Sequence, residues 1–342
     1  MKIALIFNVR HVGPSLSNKK SQEEAEFDTE DTIKGIAKAI KKLNHEVILI
    51  EADENAYLKL KRLKSKIDLA FNIAEGLHGA DRESQIPAML EMLQIPYVGS
   101  KPLTQAVCLN KAKTKEILNH HRIPTPNFQL FKKENEEIKK DLRFPLIVKP
   151  NFEGSSKGIF QNCFVKNKKE LKTKVRQIIK GLKQAALAEE FLPGREFTVG
   201  IIGNSPAEVL PFVEMDFSAL PKNLLPIDSY EVKWIVDNPD SKVQTVICPA
   251  KTSQKLKKEI KNICLKTKEA LEILDWCRID VRLDKKGVPN ILEVNQIPGI
   301  IPDPRENSRL PLAARKKGYQ FHQLLGKIIQ SAVSRYKNKV LC

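Results

Sequence analysis

The sequence predicts an α/β fold that becomes α+β in its C-terminal half, with a parallel sheet confined to the N-terminal part. Three patterns carry that reading. Apolar, β-branched runs of strand length alternate with amphipathic stretches as far as Pro96. Short apolar runs then crowd residues 144–214, as antiparallel strands do. A late pair of runs, 276–284 and 289–295, flanks Asp284-Lys285-Lys286-Gly287, a hairpin signal.

KIALIFNV (2–9) and EVILIEA (46–52) are the first two strands. Between them, Thr29 to Leu43 carries Ile33, Ile36, Ala37, Ile40 and Leu43 at helical spacing. DLAFNIA (68–74) is a third strand, and Ser84 to Leu93 a further helix. No G-x-G-x-x-G follows the first strand, so nothing speaks for a dinucleotide. Arg10 to Phe27 is a polar loop long enough to need a functional reason. Pro96 and Gly99-Ser100-Lys101-Pro102 close this unit, and one helix is expected from Leu103 to His121, ended by Pro124 and Pro126. PLIVKP, IFQNCFV, ALAEEFL, EFTVGII and AEVLPFV read as strands, with a Lys-rich helix at 167–182. Residues 215–246, with Pro221, Pro226 and Pro239, lack periodicity and read as an excursion over a site. A helix from Ser253 to Leu274 leads into the hairpin, and another from Tyr319 to Tyr336 finishes the chain. The expected division is an N-terminal domain (1–103), a central unit (104–190) and a C-terminal unit (191–342).

With 342 residues, 42% of them hydrophobic, the chain can bury a full core, and a soluble enzyme is the expected class. No run of about 18 apolar residues exists, so no membrane partner is expected. Ile3 to Phe7 is too short for a signal-peptide core, which points to the cytoplasm. The net charge of +17 raises nucleic acid as a partner. Its Lys and Arg are scattered in short groups, such as Lys19-Lys20, Lys132-Lys133, Lys168-Lys169 and Arg315-Lys316-Lys317, which suits solvated helix faces. No nucleic-acid partner is expected. The six cysteines, Cys108, Cys163, Cys248, Cys264, Cys277 and Cys342, show no metal spacing and read as reduced thiols.

Three constellations carry chemistry. Alternation places Arg278, Asp280 and Arg282 on one face of their strand, and Glu293 and Asn295 on one face of the next. Two carboxylates and an amide oxygen, with room left for water, suit Mg²⁺. A charge ladder on a solvated strand would give the same spacing. Lys149-Pro-Asn-Phe-Glu153-Gly154-Ser155-Ser156-Lys157-Gly158 is a small-residue loop able to close over phosphates, or a plain hairpin. Glu189-Glu190-Phe191-Leu192-Pro193-Gly194-Arg195-Glu196 reads alone as a strand end with solvated acids.

Together these segments resemble the D-alanine–D-alanine ligases of the ATP-grasp superfamily, through K-P-x-x-E-G-S-S-x-G, E-x-x-L-x-G-x-E-[FY]-T-V and R-[IV]-D-x-x-L…L-E-[VA]-N-x-x-P-G. Ile95-Pro-Tyr97-Val-Gly99-Ser100 and Asn110-Lys111 belong to the same pattern, and the match covers about residues 68 to 335. The resemblance implies an ATP-grasp fold behind a Rossmann-like N-terminal domain. It also implies an ATP-dependent carboxylate–amine ligase acting through an acyl phosphate, with ATP and two Mg²⁺ (or Mn²⁺) ions as cofactors.

Carried over by position, Lys111 and Lys149 would hold phosphates, with Glu153, Ser155 and Ser156 in the flap above them. Glu189 and the backbone of Glu190, Phe191 and Leu192 would meet adenine, and Glu196 the ribose. Asp280, Glu293 and Asn295 would bind the metals. Arg278, helped by the Gly299 backbone, would steady the oxyanion. Lys233 would reach the γ-phosphate, and Ser308 the second substrate's carboxylate. The partners implied are amino acids and ATP, in a possible homodimer.

The acceptor end departs from the family. Glu75 stands where counting back from Gln85 puts the expected His, although a gap would restore His78. Trp234 replaces the Tyr usual in D-alanine-adding members. The early motif whose Glu holds the first amino group is absent, leaving Glu26 or Glu30 as substitutes, and extra residues precede Ser308. A ligase of other substrates and a non-catalytic nucleotide-binding regulator are the competing readings.

Overall fold

The computed structural model describes residues 1–342 except 14, 16, 17, 19, 22, 23, 238–242, 244 and 338–342; Lys19, Pro239 and Cys342, named above, lie outside the described residues. Strands β1 (Lys2–Phe7), β2 (Glu46–Glu51), β3 (Leu69–Asn72) and β4 (Tyr97–Val98) form a parallel sheet in the order β2-β1-β3-β4. Helix α1 (Glu30–Lys41) is capped by Thr29, whose side chain accepts from Thr32 N, and buries Ile33, Ile36 and Ile40. Its acidic start and basic end complement the helix dipole. Two short elements were not anticipated, α2 (Ala56–Leu63) and β4. After α3 (Gln85–Met92), the single helix expected from Leu103 to His121 proves to be two, α4 (Pro102–Leu109) and α5 (Lys111–His120). Asn110 breaks it: at φ −82° and ψ 90° it leaves the helix, and its side chain caps the second one on Lys113 N. The Lys111 N–H is thereby free to donate to Asn151 O, at the root of the flap.

The middle of the chain forms an antiparallel sheet in the order β5-β8-β6-β7, from Phe128–Phe131, Leu146–Pro150, Phe164–Val165 and Ala186–Glu190. The centre of IFQNCFV is a 3-10 turn (Gln161–Cys163), leaving only β7 as strand. Helix α6 (Lys168–Leu182), capped by Asn167, covers this sheet with Leu171, Val175 and Ile178. The third sheet runs β12-β11-β9-β13-β14, with β10 also on β9. Its strands are β9 (Glu196–Ile202), β10 (Glu208–Val209), β11 (Val213–Met215), β12 (Val246–Ile247), β13 (Trp276–Leu283) and β14 (Pro289–Asn295). The run AEVLPFV thus splits in two. Helix α7 stops at Ala270 rather than Leu274 (Gln254–Ala270), and α8 (Arg309–Lys317) precedes the final α9 (Phe321–Lys337).

Packing joins the first and third sheets. Phe71 of β3 and Trp276 of β13 approach to 5.9 Å between ring centroids, within one apolar cluster that also takes in Leu310, Leu325 and Ile328. Arg335 of α9 pairs with buried Asp275 at 2.8 Å and donates to Tyr97 O, and Asp275 also accepts from Gly99 N. Among the described residues no helix is long and apolar enough to cross a membrane, and Cys108, Cys163, Cys248, Cys264 and Cys277 are free thiols.

Candidate active site

The hairpin β13–β14 brings its polar faces together. Asp280 lies opposite Glu293 and Arg278 opposite Asn295, and the register slips after Asp280, leaving Leu292 as the extra residue. Asp280 Oδ1 accepts from Thr198 Oγ1 of β9 at 2.6 Å; its Oδ2 accepts from Arg278 Nη2 at 3.1 Å and Asn295 Nδ2 at 3.2 Å. One position further, Arg282 pairs with Glu196 at 2.8 Å across the β13–β9 ladder. Burial pushes the Glu196 carboxyl up to about 7 against the pull of Arg282. The predicted ladder is therefore real and largely buried, which removes the solvated-strand reading.

Lysines answer these acids. Lys111 Nζ stands 2.8 Å from Glu293 Oε1 and also donates to Glu153 O. Burial alone would raise the Glu293 carboxyl, yet Lys111 and Lys149 hold it down to about 2. Glu189 sits between Lys149 at 2.5 Å and Lys115 at 2.9 Å. Burial lowers Lys115 to about 8 despite Glu189, whereas Lys149 is raised, so the shared carboxylate favours Lys149. Removing one partner of such a buried pair costs about 3–5 kcal/mol, mostly because the other charge is stranded.

The flap follows β6. Ser155 and Ser156 adopt left-handed φ values of 47° and 59°, conformations that non-glycine residues hold only when their surroundings impose them. Two groups do so: Trp234 Nε1 donates to Ser155 O at 3.1 Å, and Ser156 Oγ donates to Asp228 O at 2.8 Å. Both partners come from the excursion expected at 215–246, which contains a π-helical turn, Val232–Val236.

Two cavities meet beneath the flap. One is lined by Lys149, Ser155, Ser156, Glu189 to Leu192 and Glu196, together with Asp280, Arg282 and Leu292. The other is lined by Asp28, Glu75, Glu83, Lys111, Trp234, Gly299, Ser308 and Arg309. Ser155, Lys233, Arg278, Glu293 and Asn295 border both. Lys233, half-buried, is pushed down to about 8 by burial and by Arg278, with Asp228 opposing. Arg278 Nε is buried with no hydrogen-bond partner among the described residues, as is Arg282 Nε.

One predicted site residue stays outside both cavities. Glu153 turns toward Arg82, Lys157 and Gln184. Of the two substitutes for the missing acid, Glu30 pairs on the surface with Lys34 at 2.8 Å, while Glu26 lines the second cavity and accepts from Gly154 N. Ser308 Oγ is engaged locally, accepting from Ile301 N and donating to Gly299 O. Sequence reasoning missed the Arg309–Asp228 pair (2.8 Å), Arg10 over the Trp234 ring (5.3 Å) and the acids Asp28 and Glu83. Burial, the neighbouring acids and Arg82 together leave Glu83 at about 7 and Glu75 well above the usual carboxylate range. Arg10, Asp28 and Asp228 lie on loops, Glu83 in a 3-10 turn and Arg309 at the first position of α8, none of them marked by a periodic signal.

Known proteins resemble this chain along most of its length. A family model described as D-ala D-ala ligase C-terminus matches residues 111–330. A protein of Aquifex aeolicus named D-alanine--D-alanine ligase is 34% identical over 315 residues, 92% of this chain and 98% of that one. An uncharacterized Sinorhizobium fredii protein, y4sG, is 34% identical over 307 residues, 88% of this chain and 87% of that one. Among solved structures, D-alanine--D-alanine ligase from Bacillus anthracis superposes with TM-score 0.73 at 25% identity, covering 99% of both chains. The same enzyme complexed with ATP gives TM-score 0.72 at 24% identity, with the same coverage.

Proposed function

The chain belongs to the D-alanine–D-alanine ligase family of ATP-grasp enzymes, and on that premise we propose that it joins two amino acids, D-alanine foremost, into a dipeptide at the expense of ATP. The observation that carries the proposal is the meeting of two cavities at Arg278, Lys233, Glu293, Asn295 and Ser155. A phosphoryl group must pass from a nucleotide in one to a carboxylate in the other, and these residues border that passage.

In this reading the cavity at Glu189 to Leu192 and Glu196 takes adenine and ribose, and Lys149 and Lys111 take the phosphates. An amino-acid carboxylate oxygen attacks the γ-phosphorus, and ADP leaves. The Lys233 ammonium neutralises charge spreading over the transferred group. The second amino acid's amine then attacks the acyl carbon and phosphate departs. Arg278, its Nε unpaired, and the Gly299 N–H stabilise the oxyanion of that step. The flap, with Ser155 and Ser156, keeps water from the acyl phosphate. Ser308 and Trp234 line the acceptor end, and Glu26 or Glu75 faces the first ammonium.

The residues also fit a hard divalent cation. Asp280, Glu293 and Asn295 supply two carboxylates and an amide, and no third acid, His or Cys joins them among the described residues. So sparse an oxygen set suits Mg²⁺ or Mn²⁺ that keep waters and substrate phosphates, and when bound they would polarise those phosphates. The proposal extends to the divisions after residues 103 and 190, to the cytoplasm and to a homodimer read by sizing. A different amino-acid pair is a second reading, favoured by Glu75, Glu83 and Trp234 at the acceptor end. Phosphate release with ATP, Mg²⁺ and a panel of D- and L-amino acids, alone and paired, tests both. Release with D-alanine, lost in Glu293→Gln, is expected; release only with another pair would replace the substrate. No release with any pair would leave a nucleotide-binding regulator.

A further inference from the structure

Arg82 belongs to none of the roles above, yet its guanidinium makes three polar contacts at the flap. Its Nη1 donates to Phe152 O at 2.8 Å, and its Nη2 to Glu26 Oε2 at 2.6 Å and Glu153 Oε2 at 3.4 Å. Its side chain is 10% exposed and that of Glu26 only 4%. Burial disfavours the guanidinium charge, but Glu26 and Glu153 outweigh it, so the pKa of Arg82 rises further above its ordinary value. Glu26 completes the link by accepting from Gly154 N; a Cβ on Gly154 would lie 2.5 Å from Glu26 Oε1. Three segments converge on this point: the N-terminal loop, the β3–α3 connection and the flap.

We infer that Arg82 is the positioning residue that latches the flap Phe152–Ser156 to the N-terminal lobe through Glu26, Glu153 and the Phe152 carbonyl. A planar fork that bonds a backbone oxygen and two carboxylates at once fixes orientation as well as distance, which a lysine does not. Trp234 and Asp228 hold Ser155 and Ser156 from the C-terminal side, so the flap is fastened at both margins. The latch also occupies Glu26, whereas Glu75 makes no hydrogen bond within the described protein and is the carboxylate left to receive a substrate ammonium. The inference rests on the ligase reading only for its catalytic consequence: an unlatched flap admits water, which cleaves the acyl phosphate to the original carboxylate and phosphate.

The test uses the full chain as wild type, Arg82→Gln and Arg82→Lys. Hydrogen exchange is followed over residues 152–158, with helix α7 as the internal standard, and phosphate and dipeptide are counted in the complete reaction. Expected for Arg82→Gln is flap exchange about tenfold faster with α7 unchanged, an effect confined to a local opening. Phosphate per dipeptide should rise above one, with Arg82→Lys between it and wild type. Wild-type flap exchange together with a ratio of one would overturn the latch. Should Arg82→Gln fail to fold, Gly154→Ala attacks the same contact from the flap side and carries the same expectations. A wild type that forms no dipeptide would sink the ligase reading, and the exchange measurement would still decide the latch.

Discussion

The two cavities differ in how they balance buried charge. On the nucleotide side buried ionisable groups pair with opposite charge: Lys149 with Glu189, Arg282 with Glu196, Arg278 with Asp280. On the amino-acid side Glu75, Glu83 and Asp28 crowd together, and burial raises all three. The difference teaches where change is tolerated. In the proposed reading, ATP and a divalent cation would demand the paired constellation, whereas the acceptor wall could be rebuilt without disturbing it.

Substitution should separate the two sides. Arg278→Ala, at the junction, should lower kcat about 10²–10³-fold, the loss typical of one oxyanion donor, with a far smaller change in KM for ATP. An unchanged kcat would break the comparison at its centre. Lys149→Met strands Glu189 beside Lys115 alone; chemical denaturation should show a loss of about 3 kcal/mol, and KM for ATP should rise. Glu75→His should instead leave KM for ATP unchanged while shifting amino-acid preference about tenfold, measured as the ratio of kcat/KM between D-alanine and the preferred alternative. A parallel rise in KM for ATP would mean that the two sides are not separable. The smallest effect is on pH. With Lys233 lowered to about 8 by burial, its ammonium persists below that pH and is lost above it. The kcat/KM for ATP should therefore fall on the alkaline side near pH 8, and Lys233→Arg should move that limb upward.

Much of this was legible beforehand, for physical reasons. The β13–β14 hairpin announces itself because Asp284 and Gly287 make the turn. Regular pairing out from that turn would set Leu292 opposite Asp280; Asp280 meets Glu293 only because the register slips at Leu292, which alternation alone does not reveal. The break at Asn110 was not legible, since apolar residues on either side of it continue one helical stripe and only the cap reveals the bend. IFQNCFV looked like a strand from composition, but a 3-10 turn takes its centre. The Arg82–Glu26 and Arg309–Asp228 pairs join residues 56 and 81 positions apart, and no local pattern encodes such partners.

The most direct measurement of the central claim follows oxygen. With ¹⁸O in the carboxylate of the first amino acid, ATP-driven ligation through an acyl phosphate should deliver one labelled oxygen to the released phosphate for each dipeptide formed. Phosphate released without label, with the dipeptide still accumulating, would contradict the acyl-phosphate account.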